Sequence, residues 1–212
     1  MKKSIIFAFF IMLAASLSAQ HVSPISFSLT EFNLDSLRTQ YDGASYLLEL
    51  QRLDKLLKDD TKTLKDAQSQ FKDEKDYYKQ MTAFVDKTED SFKNLQALAH
   101  KESDELNSLK DIIDKQLRSL NSIGQLNADT RKKVSGILQV QRNGADSAIN
   151  ATTIRLTQIA NHLAQLRQAR TDLMVFNSEL TNKETDLKQI ETALKMRRDI
   201  IKSETKDAKA KK

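Results

Sequence analysis

Cysteine is absent from this 212-residue chain, which also has a single proline and only four glycines. The absence of cysteine excludes disulfides, thiolate metal sites, cysteine nucleophiles and lipid attachment through a cysteine. The scarcity of proline and glycine argues against a fold of many short strands, because such folds need frequent chain reversals. A chain dominated instead by charged residues, Leu, Ala, Gln and Ser is typical of long helices.

Long apolar runs are also lacking, apart from one near the N-terminus. Lys2 and Lys3 form a basic start, residues 5–15 are an apolar stretch of eleven, and small residues follow up to Ala19. Eleven residues are too few to span a bilayer, which needs about 20. We therefore expect residues 1–19 to be a secretory signal peptide cleaved near Ala19. The mature chain is predicted to have no membrane span and to be periplasmic or secreted from a bacterium.

A strong excess of either charge is missing as well. The 34 Lys and Arg and 29 Asp and Glu give a net charge of +5, and removal of Lys2 and Lys3 leaves 32 basic residues, or +3. So small an excess in a chain with 30% charged residues indicates a solvated surface rather than a basic patch. The basic tail is short and lacks aromatic residues that would stack on bases. No nucleic-acid partner is expected.

Two rows of mostly apolar residues at seven-residue spacing predict two long helices. A strict repeat of seven keeps one face of a helix turned toward a partner helix. The first row is Leu50, Leu57, Leu64, Phe71, Tyr78, Val85, Phe92, Ala99, Leu106, Ile113 and Leu120. The second row is Leu138, Ala145, Thr152, Ile159, Leu166, Leu173, Leu180, Leu187, Leu194 and Ile201.

Breaks in these rows give the predicted boundaries. They are an extended N-terminal arm at 20–33, a long helix at 34–123, a turn and tip segment at 124–145, a second long helix at 146–207 and a basic tail at 208–212. Ile25, Phe27 and Leu29 alternate with polar residues, which indicates either a short strand at 25–29 or an arm packed on the helices. The second row continues in phase through Gly144. A helix from about 128 to 207 is therefore favoured over a separate tip helix at 128–142.

A short connection makes two consecutive helices antiparallel neighbours. The predicted fold is therefore all-α, an elongated antiparallel helical hairpin or coiled-coil-like bundle with long helices. Two registers satisfy the apolar rows. The looser one places Leu57 beside Leu194, and the tighter one, shifted by one heptad, places Glu74 near Arg170.

A second row of the first helix alternates strictly between apolar and polar residues. It reads Leu53, Asp60, Ala67, Glu74, Met81, Thr88, Leu95, Glu102, Leu109, Gln116 and Ile123, so the true repeat is 14 residues long. Polar residues also lie near the seam of the second helix, among them Arg142, Arg170, Asn177, Glu184, Glu191 and Arg198. They indicate either a ligand or proton-transfer site between the helices, or control of the register. Even spacing favours register control.

No catalytic or metal-binding constellation is evident. The three histidines, His21, His100 and His162, do not share an i, i+4 helix face, so no pair of metal ligands is presented. The chain is therefore predicted not to be an enzyme and to need no cofactor.

Further apolar residues lie just beside the seam and widen the apolar stripe. They are Leu56, Tyr77, Phe84, Leu98, Ile112, Phe176 and Ile190. A stripe wider than a two-stranded seam implies a third or fourth helix, from the chain's own ends or from another copy. We take these residues as candidates for binding a protein partner or for self-association. The alternative is that the arm and the region of Gly43 cover them.

The predicted function is that of an exported structural or adaptor protein of the bacterial cell envelope that binds through its helices. Its plan, a signal peptide followed by long helices, is similar to that of the minor pilus subunits of conjugative type IV secretion systems. That resemblance implies a subunit of a secretion or conjugation assembly. The alternative is a holdase, because the signal, basic balance and paired helices resemble the periplasmic seventeen-kilodalton chaperones that clasp unfolded outer-membrane proteins. Those chaperones also have several strands, whereas here only residues 25–29 offer one.

Overall fold

Two long antiparallel helices form the body of the protein. The computed structural model describes residues 22–210, so the predicted signal peptide lies outside the described residues. An extended N-terminal segment is followed by α1 (Leu34–Gln40), α2 (Gly43–Ser122) and α3 (Ala128–Ala210). Helices α2 and α3 pack together as an antiparallel pair, which confirms the predicted all-α helical hairpin.

The first long helix is interrupted near its start, unlike the continuous helix predicted at 34–123. The Asn33 side chain caps α1 by accepting hydrogen bonds from two main-chain N–H groups, of which that of Asp35 lies at 3.0 Å. Tyr41 is extended, with φ −123° and ψ 138°, and ends α1. Gly43 then opens α2 with φ +33°, a conformation that glycine adopts without the steric cost a Cβ brings. Residues 41–42 are therefore not helical and separate the two helices.

The second long helix is continuous. Asn127 caps its first turn, since its Oδ1 accepts from the Asp129 N–H at 2.9 Å. Helix α3 then runs through Gly144 without a break and ends at Ala210. The predicted turn and tip segment at 124–145 thus contributes only a short loop, and most of the predicted tail is helical. Ala145 is buried at 5% exposure, so packing of the seam holds the helix together beside the glycine.

The described chain divides into two compact units, and α2 and α3 pass through both. Unit 1 comprises residues 22–82 and 171–210, and unit 2 is Ala83–Arg170. The core of unit 1 is Leu50, Leu53, Leu57, Leu64, Leu187, Leu194 and Ile201. The buried residues of unit 2 are Val85, Glu89, Ala99, Ile113, Leu120, Ala145, Thr152, Ile159, Leu163, Leu166 and Ala169. The two seven-residue rows supply most of both sets.

Ion pairs between the helices define a register that differs from both predicted ones. In unit 1, Lys183 Nζ lies 3.0 and 2.8 Å from the two carboxylate oxygens of Glu74, which the tighter register had placed near Arg170. In unit 2, Arg155 donates to Glu102 at 2.6 Å. The observed register lies one heptad beyond the looser prediction. The apolar rows match equally well after every shift of seven residues, so only the charged pairs decide between the registers.

Candidate partner-binding surfaces

The N-terminal arm, residues 22–33, lies along the helices of unit 1. It is extended and forms no strand within the described part of the chain. Ile25, Phe27 and Leu29 pack against the unit 1 core and are half-buried, whereas Ser26 and Ser28 between them are exposed. Because side chains alternate along an extended chain, every second one reaches the helices. Of the two predicted interpretations, the packed arm is the one observed.

Charged side chains of the helices hold the main chain of the arm. The Thr30 N–H donates to Asp60 Oδ2 at 2.8 Å, and Arg197 donates to the Thr30 carbonyl oxygen. The two main-chain groups of one residue are thus bound by an acid on α2 and an arginine on α3, a pair that we name the Asp60/Arg197 clamp. Further along, the Ser23 N–H donates to Glu74 at 3.2 Å. These bonds are made to main-chain groups, so they do not depend on which side chains the arm carries at those positions.

The spacing of these contacts explains the 14-residue repeat in unit 1. Thr30 and Ser23 are seven residues apart, which spans about 23 Å in an extended chain. Their partners Asp60 and Glu74 are 14 residues apart, which spans about 21 Å in a helix. Seven extended residues therefore match one helical repeat, and each repeat brings a carboxylate to a main-chain N–H group.

Most of the other polar seam residues form pairs. Arg142 pairs with Asp114, Arg170 with Asp86 and Glu89, Glu184 with Lys75 and Lys188, and Glu191 accepts from Gln68. Within residues 22–210, no group of three or more His, Asp and Glu side chains is placed to hold a metal ion. His100 is exposed, His162 lies 5.1 Å from the Phe92 ring, and His21 lies outside the described residues. The polar sites are spread along the helices rather than gathered into one pocket.

Several of these pairs lower the pKa of a carboxyl group. The pKa of Glu89, which is 8% exposed, lies below its usual range because Lys93 bonds to it and Arg170 adds positive charge nearby. Lys188 and Lys75 lower the pKa of Glu184 in the same way. These carboxylates therefore remain charged at neutral pH and favour the observed register.

Four of the seven predicted partner-binding residues lie in unit 1, where the chain itself covers them. Leu56 and Ile190 are half-buried against the core that also receives the arm. Tyr77 and Phe176 meet edge to face, with ring centroids 6.1 Å apart, and Phe176 is only 7% exposed. In this unit the arm takes the place of the additional helix that the wide stripe had suggested.

The other three predicted residues lie in unit 2 and are exposed. Phe84, Leu98 and Ile112 are 37%, 64% and 52% exposed. Leu95 and Leu109, which are 50% and 47% exposed, lie three residues before the last two on the same face of α2. We name Leu95, Leu98, Leu109 and Ile112 the unit 2 apolar face.

Sequence reasoning missed Leu95 and Leu109 as surface residues, because it assigned their row to the seam. The 14-residue repeat offered a signal, since it puts each of them beside a predicted partner-binding residue.

Two further observations bear on function. No helix within residues 22–210 is long and apolar enough to cross a membrane. Comparison with protein-family models, curated proteins and solved structures finds no match for the chain. The functional proposal therefore rests on the surfaces of the two units.

Proposed function

We propose that the chain is an exported structural or adaptor protein of the bacterial cell envelope, which binds a protein partner through the unit 2 apolar face. One observation carries the proposal: α2 exposes two apolar pairs in unit 2, whereas the equivalent residues three repeats earlier in unit 1, Leu53, Leu56 and Ala67, are buried or half-buried at the core on which the arm packs. Exposed apolar residues that lie in groups mark interaction sites more often than single scattered ones do. A subunit of a secretion or conjugation assembly is the specific form of this proposal, motivated by the predicted signal peptide and the long helices.

The size of the face limits how it binds. Complete burial of an exposed aliphatic side chain contributes about 1.5–3 kcal/mol, so four half-exposed ones contribute about 4 kcal/mol together. Even before the entropic cost of association is subtracted, that corresponds to a Kd of only about 1 mM. A stable complex therefore needs polar contacts around the apolar face as well, and exposed charged residues such as Glu102 and Arg155 lie within this unit.

A holdase function is the second candidate, and the arm of unit 1 favours it. The helices hold this extended segment by its main chain and by alternate apolar side chains. The strand-forming segments of unfolded outer-membrane proteins have the same alternation of apolar and polar residues. If the protein is a holdase, it suppresses aggregation of such a protein at equimolar concentration; an adaptor leaves that aggregation unchanged.

The adaptor proposal is tested by purifying the tagged protein from the envelope of the bacterium that makes it. We expect a complex of defined stoichiometry that Leu98→Ser combined with Ile112→Ser disrupts. The matched control combines Leu48→Ser and Met196→Ser, which change residues of unit 1 that are 66% and 57% exposed. Equal loss of the complex in both double variants, or a wild-type protein that purifies alone, would refute the proposal.

A further inference from the structure

We infer that the unit 2 apolar face surrounds a second main-chain clamp, formed by Glu102 and Arg155, which binds an extended polypeptide segment with apolar residues at alternate positions. The inference rests on the proposed function and specifies the class of partner. Its starting point is the Asp60/Arg197 clamp, where an acid of α2 and an arginine of α3 bind the two main-chain groups of Thr30.

Glu102 and Arg155 occupy the same position in the repeat. Glu102 follows Asp60 by 42 residues, which is three 14-residue repeats, and Arg155 precedes Arg197 by the same 42 residues. In an antiparallel pair of helices, equal shifts in opposite directions preserve the cross-helix register. Within its own unit, each pair therefore combines an acid of α2 with an arginine of α3 at corresponding positions.

The two clamps differ in what occupies them. In unit 1 the acid and the arginine are each bonded to Thr30 of the arm. In unit 2 Arg155 donates to Glu102 Oε2 at 2.6 Å, and their side chains are 51% and 44% exposed. Glu74, which holds both Lys183 and the Ser23 N–H, shows that such a carboxylate binds a main-chain donor while it keeps its cross-helix cation.

The apolar surroundings of this second clamp also match an extended segment. Leu95 and Leu98 precede Glu102, and Leu109 and Ile112 follow it, with exposed fractions of 47–64%. One repeat of about 21 Å separates the two apolar pairs, which equals the span of six to seven extended residues. A segment whose alternate side chains are apolar would cover both pairs while its main chain lies at the clamp.

Peptide binding tests the inference. The probe is a fluorescent peptide with the sequence of residues 20–33, titrated into the chain comprising residues 20–212. We expect saturable binding that weakens about tenfold with Glu102→Gln or Arg155→Gln, as for the loss of a hydrogen bond to a charged group. Leu98→Ser should weaken it at least as much. Glu105→Gln and Lys101→Gln, which alter an exposed neighbouring pair, should leave it unchanged.

One further measurement locates the binding site. N-methylation of the peptide at the position of Thr30 removes the N–H group that the clamp binds. We expect about a tenfold loss of affinity in the wild-type protein and no further loss in the Glu102→Gln variant. A peptide that instead displaces the arm in unit 1 would be insensitive to Glu102→Gln and Arg155→Gln, and that result, like absent binding, would overturn the inference. The envelope complex and its loss with Leu98→Ser and Ile112→Ser would then still support the adaptor proposal.

Discussion

At the scale of single residues, buried charge is the feature that most constrains this hairpin. Lys183 has a side chain only 5% exposed, and Glu74 opposite it is 15% exposed. Two ions taken from water are tolerated only if each has partners. Lys183 binds both oxygens of Glu74, and one of these oxygens also accepts from the Ser23 N–H. A single ion pair thus connects α2, α3 and the arm.

Removal of Lys183 should therefore cost much more stability than removal of an exposed lysine. We expect Lys183→Ala to lower the free energy of unfolding by about 2–4 kcal/mol, because Glu74 is left without its cation. Lys188→Ala, which removes the 71% exposed partner of Glu184, should cost less than about 1 kcal/mol. Urea denaturation followed by circular dichroism measures both; equal effects would contradict the structural role of Lys183.

Carboxyl groups whose pKa values are lowered by folding should make the stability of the protein depend on pH. The pKa values of Glu89, Asp146 and Glu184 are lower in the folded protein than their ordinary values, mainly because of hydrogen bonds from lysines. The unfolded chain consequently binds protons more readily, and their stabilisation is complete above the ordinary carboxyl range. It is lost as pH falls through the lowered values.

We therefore expect a melting temperature that is nearly constant between about pH 6 and 8 and falls steadily below about pH 4.5. Glu89→Gln should reduce that dependence, because it removes one of the carboxylates whose pKa is lowered in the folded protein. A pH profile that is identical in wild type and Glu89→Gln would show that Glu89 does not contribute.

At the scale of helices, the sequence predicts that the two long helices exist and run antiparallel. It predicts less well where each helix begins and ends and how the two are aligned along their length. The seven-residue rows are long and regular, so both long helices and their antiparallel packing follow from them. Helix α1 ends at Tyr41, and no proline marks that end in the sequence. The end depends instead on how α1 and the arm pack on the unit 1 core. The register depends on which charges meet, and the repeating apolar rows carry no such information.

Two glycines of the long helices should respond in opposite ways to replacement by alanine. Gly144 lies inside α3, and a Cβ there would meet nothing within 4 Å, so Gly144→Ala should stabilise by about 0.5–1 kcal/mol. Gly43 has φ +33°, and Gly43→Ala should destabilise by about 1–2 kcal/mol despite equally open space. Thermal or chemical denaturation measures the change in stability of each variant. Stabilisation by both substitutions would contradict the left-handed start of α2.

At the scale of the whole molecule, the two units share a repeat but differ in what covers it. The arm covers the apolar stripe of unit 1, and its presence could be predicted from the alternation at residues 25–29. Its main-chain bonds to Asp60, Glu74 and Arg197 could not, because carboxylates in a seam look the same whether they bind a cation, water or an N–H group. Of the exposed apolar pairs of unit 2, Leu98 and Ile112 were predicted from the sequence as surface residues, whereas Leu95 and Leu109 were not, because their row was assigned to the seam.

Loss of the arm should accordingly affect one unit. In a chain without residues 22–32, we expect amide hydrogen exchange to accelerate at least tenfold in residues 50–64 and 187–201, because these segments lose apolar cover. Residues 92–113 should exchange as before. Uniform acceleration throughout α2 would indicate that the arm stabilises more than unit 1.

The unit 2 apolar face is the proposed binding site for a protein partner. Its most direct test is a photo-crosslinking scan in living cells, with a photoreactive residue placed in turn at each position from 94 to 113 of α2 and at Leu48 and Met196 of unit 1. We expect adducts with one partner to peak at Leu95, Leu98, Leu109 and Ile112 and to be absent from the control positions Leu48 and Met196 of unit 1. Adducts spread evenly over all positions, or none at the four peak positions, would contradict it.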